Sequence, residues 1–398
     1  MNPLPIVRAL FRRNRGTVLL FMGLIALAVG LGVAISAQER ALRKGSARAA
    51  DRFDLIVAAP GSQTDVLLNV VYLQPSAIEL VDPTILAGLL AEPKASLVAP
   101  VAFGDSVDGF SVVGTTAAFV ERLAGPLAEG RIFRNRSEVV IGAVSPFRIG
   151  DRMRPVHGHG AAAEGPHAAE LTVVGRMART GTPWDAAIVA PVEHNWAVHG
   201  LPTGHPPDSE AIGPPYDPSR LPGVPAVVVV PDSVPSAYGL RNAYRTAETT
   251  AFFPAEVLVQ LYAILGDVRS VMDTLAIATQ VLVIAAILAG LMAVTEIQRE
   301  RFAVLRALGA PRSYIFAVVW VAVTAMVTAG AAAGLAVGWA AAAVLSRFIA
   351  RETGIAMTAS IGSGEIGLAL LLVAVGGAVA MIPATLVLRQ PVAESLRG

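Results

Sequence analysis

The sequence predicts an α-helical membrane protein: four transmembrane helices with an inserted α+β extracytoplasmic domain. Three observations predict it. Hydrophobic residues make up 54% of the 398, more than one water-soluble core of this length can hide. Charged residues are only 15%, against about 25% in ordinary soluble domains. The apolar residues also fall into four long runs, each near or above the roughly 20 needed to cross a bilayer. The 31 Lys and Arg balance 30 Asp and Glu, so the basic face that a nucleic-acid binder needs is missing. There is no cysteine, which removes disulfides, thiolate metal sites and thiol nucleophiles from consideration.

In chain order, residues 1–16 form a tail with Arg8, Arg12, Arg13 and Arg15 and no acid, and 17–37 the first span. A cleaved signal peptide is the alternative for 17–37, but the run exceeds the 7–15 apolar residues of a signal core, which favours a retained anchor. Residues 38–273 have ordinary globular composition. Short β-type runs at 54–57, 110–113, 138–141, 171–174 and 227–230 alternate with Gly/Pro turns and with helical patterns at 83–91 and 116–123, which reads as a mixed α+β domain. Residues 254–273 keep a helical period straight into the second span, 274–295. A loop at 296–313 leads to the third span, 314–345, which is longer than one crossing requires. A short outer loop at 346–365 precedes the fourth span, 366–388, interrupted late by Pro383, and a tail at 389–398.

Four spans put both termini on one side. The basic residues of the N-terminal tail, of the 296–313 loop (Arg299, Arg301, Arg306, Arg312) and of the C-terminal tail (Arg389, Arg397) then share the cytoplasm. Arg40, Arg43, Lys44, Arg48 and Arg52 oppose this assignment locally, but long domains translocate largely regardless of charge.

All six histidines lie within 157–205: His157, His159, His167, His194, His199 and His205, with Glu193 and Glu164 nearby. Imidazole with carboxylate suits zinc or a similar divalent ion. No spacing matches a known ligand template such as H-E-x-x-H, and scattered surface histidines in a Gly/Pro-rich insert are the alternative. Trp184, Asp185, Glu193 and Trp196 also read as packing and turn residues. The two lysines, Lys44 and Lys94, lie outside any phosphate-binding loop, so the chain has no ATPase motif of its own. No Asp, Glu, Lys, Arg or His falls within the middle of any span, so the relay of an ion-coupled transporter is missing. No nucleophile-elbow motif stands out, and the chain reads as a non-enzyme. Gly330, Gly334 and Gly338 repeat at i, i+4 and i+8, the spacing of a close helix–helix seam. The seam's partner is left open between span two, span four and a second subunit.

Between spans two and three stands EIQRERFAVLRALGAPRSYI (296–315): a charged helical extension with Phe302, Leu305 and Leu308 on one side, broken at Gly309-Ala310-Pro311. Apolar teeth beside Arg301 and Arg306 suit a groove on a partner, and a helix lying on lipid headgroups is the alternative. Here the sequence resembles the MacB/FtsX-like permeases of ABC transporters, through Glu300, Arg301, Leu305, Arg306, Ala307, Leu308, Gly309, Ala310, Arg312 and Ile315. The layout of one helix, a large domain, three helices and a short tail is similar too.

The resemblance implies a homodimer, or a pairing with a paralogous permease, in the bacterial inner membrane. It implies two copies of a separate ATP-binding subunit docked on 296–315, with ATP and magnesium held there and no cofactor in this chain apart from zinc if the histidines bind it. It also implies that ATP-driven motion is relayed along the spans to an external domain, which acts on a lipoprotein, lipid, peptide or metal-linked substrate with a periplasmic or outer-membrane partner. Residues 53–76, 180–200 and 252–269 are similar to a subgroup of that family associated with metal-responsive gene neighbourhoods. A membrane-anchored sensor or scaffold without transport is the rival reading.

Overall fold

A computed structural model describes residues 2–74, 76–158, 167, 169–264, 304–382 and 384–385. Between 265 and 303 it describes only Ser270, Thr274, Ile277, Ala278, Val281 and Ala285. The chain divides into two compact units. One comprises Met1–Leu42, Leu265–Phe348 and Thr358–Gly398, and the other Arg43–Ile264 and Ile349–Met357.

Two described helices are long and apolar enough to cross a membrane, by length and composition: Arg15–Ala50 and Arg312–Thr353. They contain the predicted first and third spans, and both overrun them. No proline interrupts 38–50, and nothing stops the later helix until Gly354, whose φ of +70° ends it. At about 1.5 Å per residue, each is longer than the roughly 30 Å hydrocarbon layer. The fourth predicted span is described as a 17-residue helix, Ser363–Val379. Its predicted end at 386–388, and most of the second span, lie outside the described residues. A count of four is therefore not established, and of the extension of Pro254–Ile264 through 273 only Ser270 is among the described residues.

The first unit is held by close backbone approach. Ile25, Val29 and Val33, each one helical turn apart, are buried where the long C-terminal helix offers Gly330, Gly334 and Gly338. A Cβ on Gly330 would lie 2.8 Å from that of Ile25, and one on Gly334 2.7 Å from that of Val29 and 2.9 Å from the Ala26 carbonyl oxygen. Gly338 rides on the Gly30 backbone. Within the chain, the glycine seam is thus filled by the first long helix. Helices that approach this closely are held by van der Waals contact between their backbones. The Trp320 indole N–H donates to the Gly377 carbonyl at 2.9 Å, and Ser346 Oγ donates to Gln38 Oε1 at 2.9 Å. At the N-terminus of Ser363–Val379, Glu365 accepts from the Gly362 N–H at 2.8 Å and pairs with Arg40, whose other arm donates to the Ser360 carbonyl at 2.8 Å.

Eleven strands are described in the second unit: β1 (Leu55–Ala58), β2 (Ala95–Val107), β3 (Phe110–Thr115), β4 (Glu129–Gly130), β5 (Glu138–Ile141), β6 (Arg152–Met153), β7 (Val156–His157), β8 (Leu171–Arg176), β9 (Ile188–Pro191), β10 (Ala226–Pro231) and β11 (Thr250–Phe252). They join in the order β11-β1-β10-β2-β3-β9-β5-β8-β4, with β6 on β8 and β7 on β2. Two pairings, β3 with β9 and β5 with β8, are parallel. All five runs predicted as strands are strands, while the 13-residue β2 has no counterpart among them. The predicted helices are present at Pro83–Leu90 and Ala117–Ala124, capped by Asp82 and Thr116.

Trp184 is fully buried against Phe53 and Phe119, and its indole N–H donates to the Val70 carbonyl at 3.1 Å. The buried Asp185 carboxylate accepts from the backbone N–H groups of Thr180 and Gly181, both at 2.8 Å. These residues pack and turn the chain.

Arg131 and Glu138 form a two-pronged ion pair, both contacts at 2.6 Å, and the Arg134 N–H also donates to Glu138 at 2.8 Å. The Arg131 guanidinium holds the Glu138 carboxyl down to about 2.

Two outcomes test these contacts. Gly334→Leu should lower the stability of the detergent-solubilised chain by about 1–3 kcal/mol through overpacking, read as a drop in Tm. Gly364→Ala, whose Cβ meets nothing within 4 Å, should leave the Tm unchanged. For Glu138, the folded-state pKa is depressed, so its contribution is fully present above the ordinary carboxylate range near 4.3 and is lost as pH falls toward about 2. The Tm gap between wild type and Glu138→Gln should therefore be constant above about pH 5 and narrow steadily below pH 4.

Candidate functional site

One register irregularity in β2 builds the most chemically loaded cluster among the described residues. Ala102 pairs with Gly114 and Asp105 with Val112 on β3, so three steps along β2 match two along β3. The extra residue falls at Phe103–Gly104, where Gly104 has a φ of +143°. A bulge of this kind turns the following side chain off the regular alternation, and that side chain is Asp105, which is fully buried. Directly across the strand pair from Asp105 stands His157 of β7, as close as cross-strand partners come. The Gly158 N–H donates to the Gly104 carbonyl at 2.7 Å, and Ser106 Oγ donates to the Gly158 carbonyl at 2.6 Å. These bonds fix the end of β7.

Two more imidazoles converge from other segments. His167 is placed by its own N–H, which donates to the Pro155 carbonyl at 2.9 Å. His199 caps the C-terminus of the helix Val192–Val198, which follows β9. That helix lies against β3 because Gly114 has no side chain. A Cβ there would stand 2.8 Å from Asn195 Cγ and 3.1 Å from Val192 Cα.

Around Asp105 Oδ1 the distances are 3.3 Å to His157 Nδ1, 3.1 Å to His167 Nε2 and 3.6 Å to His199 Nε2. His199 Nε2 is also 3.2 Å from His157 Nδ1. The four donor atoms all lie within 4.8 Å of one another. Side-chain exposure rises outward, from 0% at Asp105 to 17% at His167, 32% at His199 and 49% at His157. Beside the cluster, Leu73, Ile78, Leu80, Phe103 and Val113 line a cavity of about 500 Å³ that reaches Gly104 and Gly158.

The histidines named from sequence therefore separate. His157, His167 and His199 come together, and Asp105 completes them. His159 lies outside the described residues. His194 is buried, and burial drives its pKa down to about 4, so it is a neutral ring near neutral pH within electrostatic reach of Asp105. It is not one of the four convergent donors. His205 and Glu193 form a separate buried pair, 3.8 Å apart. The Glu193 carboxylate accepts from the Gly213 N–H at 2.6 Å, and burial raises its pKa. That pair fastens the 199–221 loop to the helix Val192–Val198. Glu193, His194 and His205, named from the sequence beside the other histidines, are buried and are not among the four convergent donors.

Asp105 was missed because it stands 52 residues before His157. The one signal available was an Asp inside an otherwise β-prone run, where Asp is disfavoured.

In the segment between spans two and three, Glu300, Arg301 and Phe302 lie outside the described residues. Val304, Leu305, Arg306 and Ala307 form a helical turn. The Ala310 N–H donates to the Leu305 carbonyl and the Gly309 N–H to the Arg306 carbonyl, both at 3.0 Å. With Gly309 at φ +94° this is a Schellman ending, which needs glycine at the left-handed position and tolerates a proline soon after. Leu305 and Ala310 pack against the core of this unit, whereas Leu308 is 80% exposed.

Residues 274–392 match the family model of the FtsX-like permease C-terminal domain. Among solved structures, the periplasmic region of MacB from Actinobacillus actinomycetemcomitans is 9% identical, with a TM-score of 0.33, covering 54% of this chain and 95% of its own. The extracellular domain of the noncanonic ABC-type transporter YknZ from Gram-positive bacteria is 11% identical, with a TM-score of 0.29, covering 50% and 98%. No curated protein matches the chain.

Positioning of the cluster is testable. Gly114→Ala should push the helix Val192–Val198 off β3 and lower the Tm by an amount equivalent to about 1–3 kcal/mol. Gly109→Ala, where a Cβ meets nothing within 4 Å although φ is +84°, should cost less, reflecting backbone strain alone.

Proposed function

We propose that this chain, which carries an FtsX-like permease domain, is the membrane subunit of an ABC transporter that relays the work of a separate ATPase to its α+β domain. The observation that carries the reading is the family match over 274–392. In this reading both termini and the 296–313 segment face the cytoplasm, the α+β domain lies outside, and two ATPase copies serve two permease subunits, identical or paralogous.

The physical logic is that of a lever. The chain has no phosphate-binding loop of its own, so nucleotide energy enters from a partner. The Schellman turn at Leu305–Ala310 presents one bare apolar tooth, Leu308, while Leu305 stays tucked against the unit's core. A push on that turn meets tightly packed helices, since the glycine seam leaves no slack between Ile25, Val29, Val33 and the backbone of the long helix. The helices Arg15–Ala50 and Arg312–Thr353 are each one unbroken helix, the kind of element along which a displacement can be carried. The apolar spans offer no hydrophilic path, which favours action on a substrate outside the membrane over passage through it.

The test is made with the chain co-purified with its ATPase. Leu308→Asp should weaken association roughly tenfold, as for loss of an interface anchor worth about 1.4 kcal/mol. It should also abolish the effect of the permease on ATP turnover while the fold and membrane insertion persist. Wild-type coupling in Leu308→Asp, or labelling that places residue 308 outside the cell, would overturn the docking role. A chain that binds no ATPase at all would favour the sensor or scaffold reading.

A further inference from the structure

The cluster around Asp105 differs from a chance meeting of surface histidines in three respects. First, its spacing is that of a coordination shell. A tetrahedral zinc ion with bonds of about 2.0–2.1 Å has donor–donor edges of about 3.3–3.4 Å. Four of the edges here measure 3.1, 3.2, 3.3 and 3.6 Å.

Second, the outer partner is in place. His199 Nδ1 donates its hydrogen to the Asn195 carbonyl at 2.7 Å, which leaves the Nε2 lone pair directed at Asp105 and His157. Fixing a ligand imidazole by a hydrogen bond at its far nitrogen is the usual support of a metal-bound histidine.

Third, the carboxylate is unbalanced. Asp105 is fully buried, no Arg or Lys pairs with it among the described residues, and its Oδ2 has no hydrogen-bond partner. Burying a carboxylate without a counter-charge is strongly unfavourable, and three ring nitrogens that can each offer a lone pair lie 3.1–3.6 Å from its Oδ1. A cation at their centre satisfies all four groups at once.

We infer that Asp105, His157, His167 and His199 bind one divalent transition-metal ion, with zinc the best match. Three nitrogens and one oxygen at tetrahedral edges suit zinc, whereas magnesium and calcium take all-oxygen shells of six or more ligands. Four protein donors complete a tetrahedral shell, so the site holds the ion and keeps no open position for chemistry. The exposed edge at His157 and His199 makes the ion exchangeable with solvent. The ion also ties together β2, β7, His167 and the end of the helix Val192–Val198. This inference stands apart from the ATPase coupling: failure of either leaves the other intact.

The experiment uses the full chain in detergent, purified without a polyhistidine tag and stripped with a chelator. Zinc is added in competition with a chromophoric chelator, and cobalt(II) is added separately to report geometry. The expected result is one zinc per chain, a tetrahedral cobalt(II) absorption that zinc abolishes, a rise of Tm with zinc, and no response to magnesium. His157→Gln and His199→Gln should each weaken zinc binding by at least about 10–100-fold, the loss seen even for outer partners of metal ligands, and Asp105→Asn likewise. His205→Gln should bind as wild type does. His157 is half exposed, so its variant remains informative if Asp105→Asn fails to fold. Failure of the wild type to bind zinc, or wild-type affinity in His157→Gln and His199→Gln, would overturn the site.

Discussion

The α+β domain depends on one strand. β2 is hydrogen-bonded to β10 along its first half and to β3 and β7 along its second, so it is the seam through which both halves of the sheet reach each other. A regular strand of that length would alternate its side chains without exception. The added residue at Phe103–Gly104 breaks the alternation once, and the break decides what the second half displays. It buries Asp105 among three imidazoles, and the residues of the bulge line the neighbouring apolar cavity. One backbone irregularity thus precedes a buried charge in a strand that is otherwise mostly apolar.

The helical unit rests on the same kind of economy, namely the absence of a side chain. Its two long helices meet where the backbones approach closely, and van der Waals contact there holds them. Gly330, Gly334 and Gly338 provide a groove whose occupants, Ile25, Val29 and Val33, carry the matching one-turn repeat. β-branched side chains have few rotamers to lose in a helix, which makes them stiff teeth for such a groove. A second glycine pair, Gly376 and Gly377, receives Val327 and the Trp320 indole on another side of the same helix.

Much of this was legible in the chain, because the relevant signals are local. Strand runs at 138–141 and 171–174, the helical patterns at 83–91 and 116–123 and the break at Gly309-Ala310-Pro311 are set by neighbours a few residues away. Helix ends were less legible. Residues 38–50 and 346–353 carry charges, which end an apolar run but do not stop a helix, and the later helix stops only at Gly354. β2 escaped notice because Pro100, Gly104 and Asp105 all argue locally against a strand, while pairing on both edges overrides them.

By itself, the sequence determined the apolar runs, the absence of a nucleotide-binding loop, the glycine spacing and the concentration of histidine in one stretch, all of them properties of composition and short-range order. It did not determine which histidines meet. His157, His199 and Asp105 are separated by tens of residues, and what unites them is a bulge in one strand, the pairing of another, and a glycine that admits a helix. Nor did it choose the first long helix as the partner of the glycine seam. Such choices are made by long-range packing, where a contact forms only after distant segments have been brought into register, and no periodicity along the chain records them.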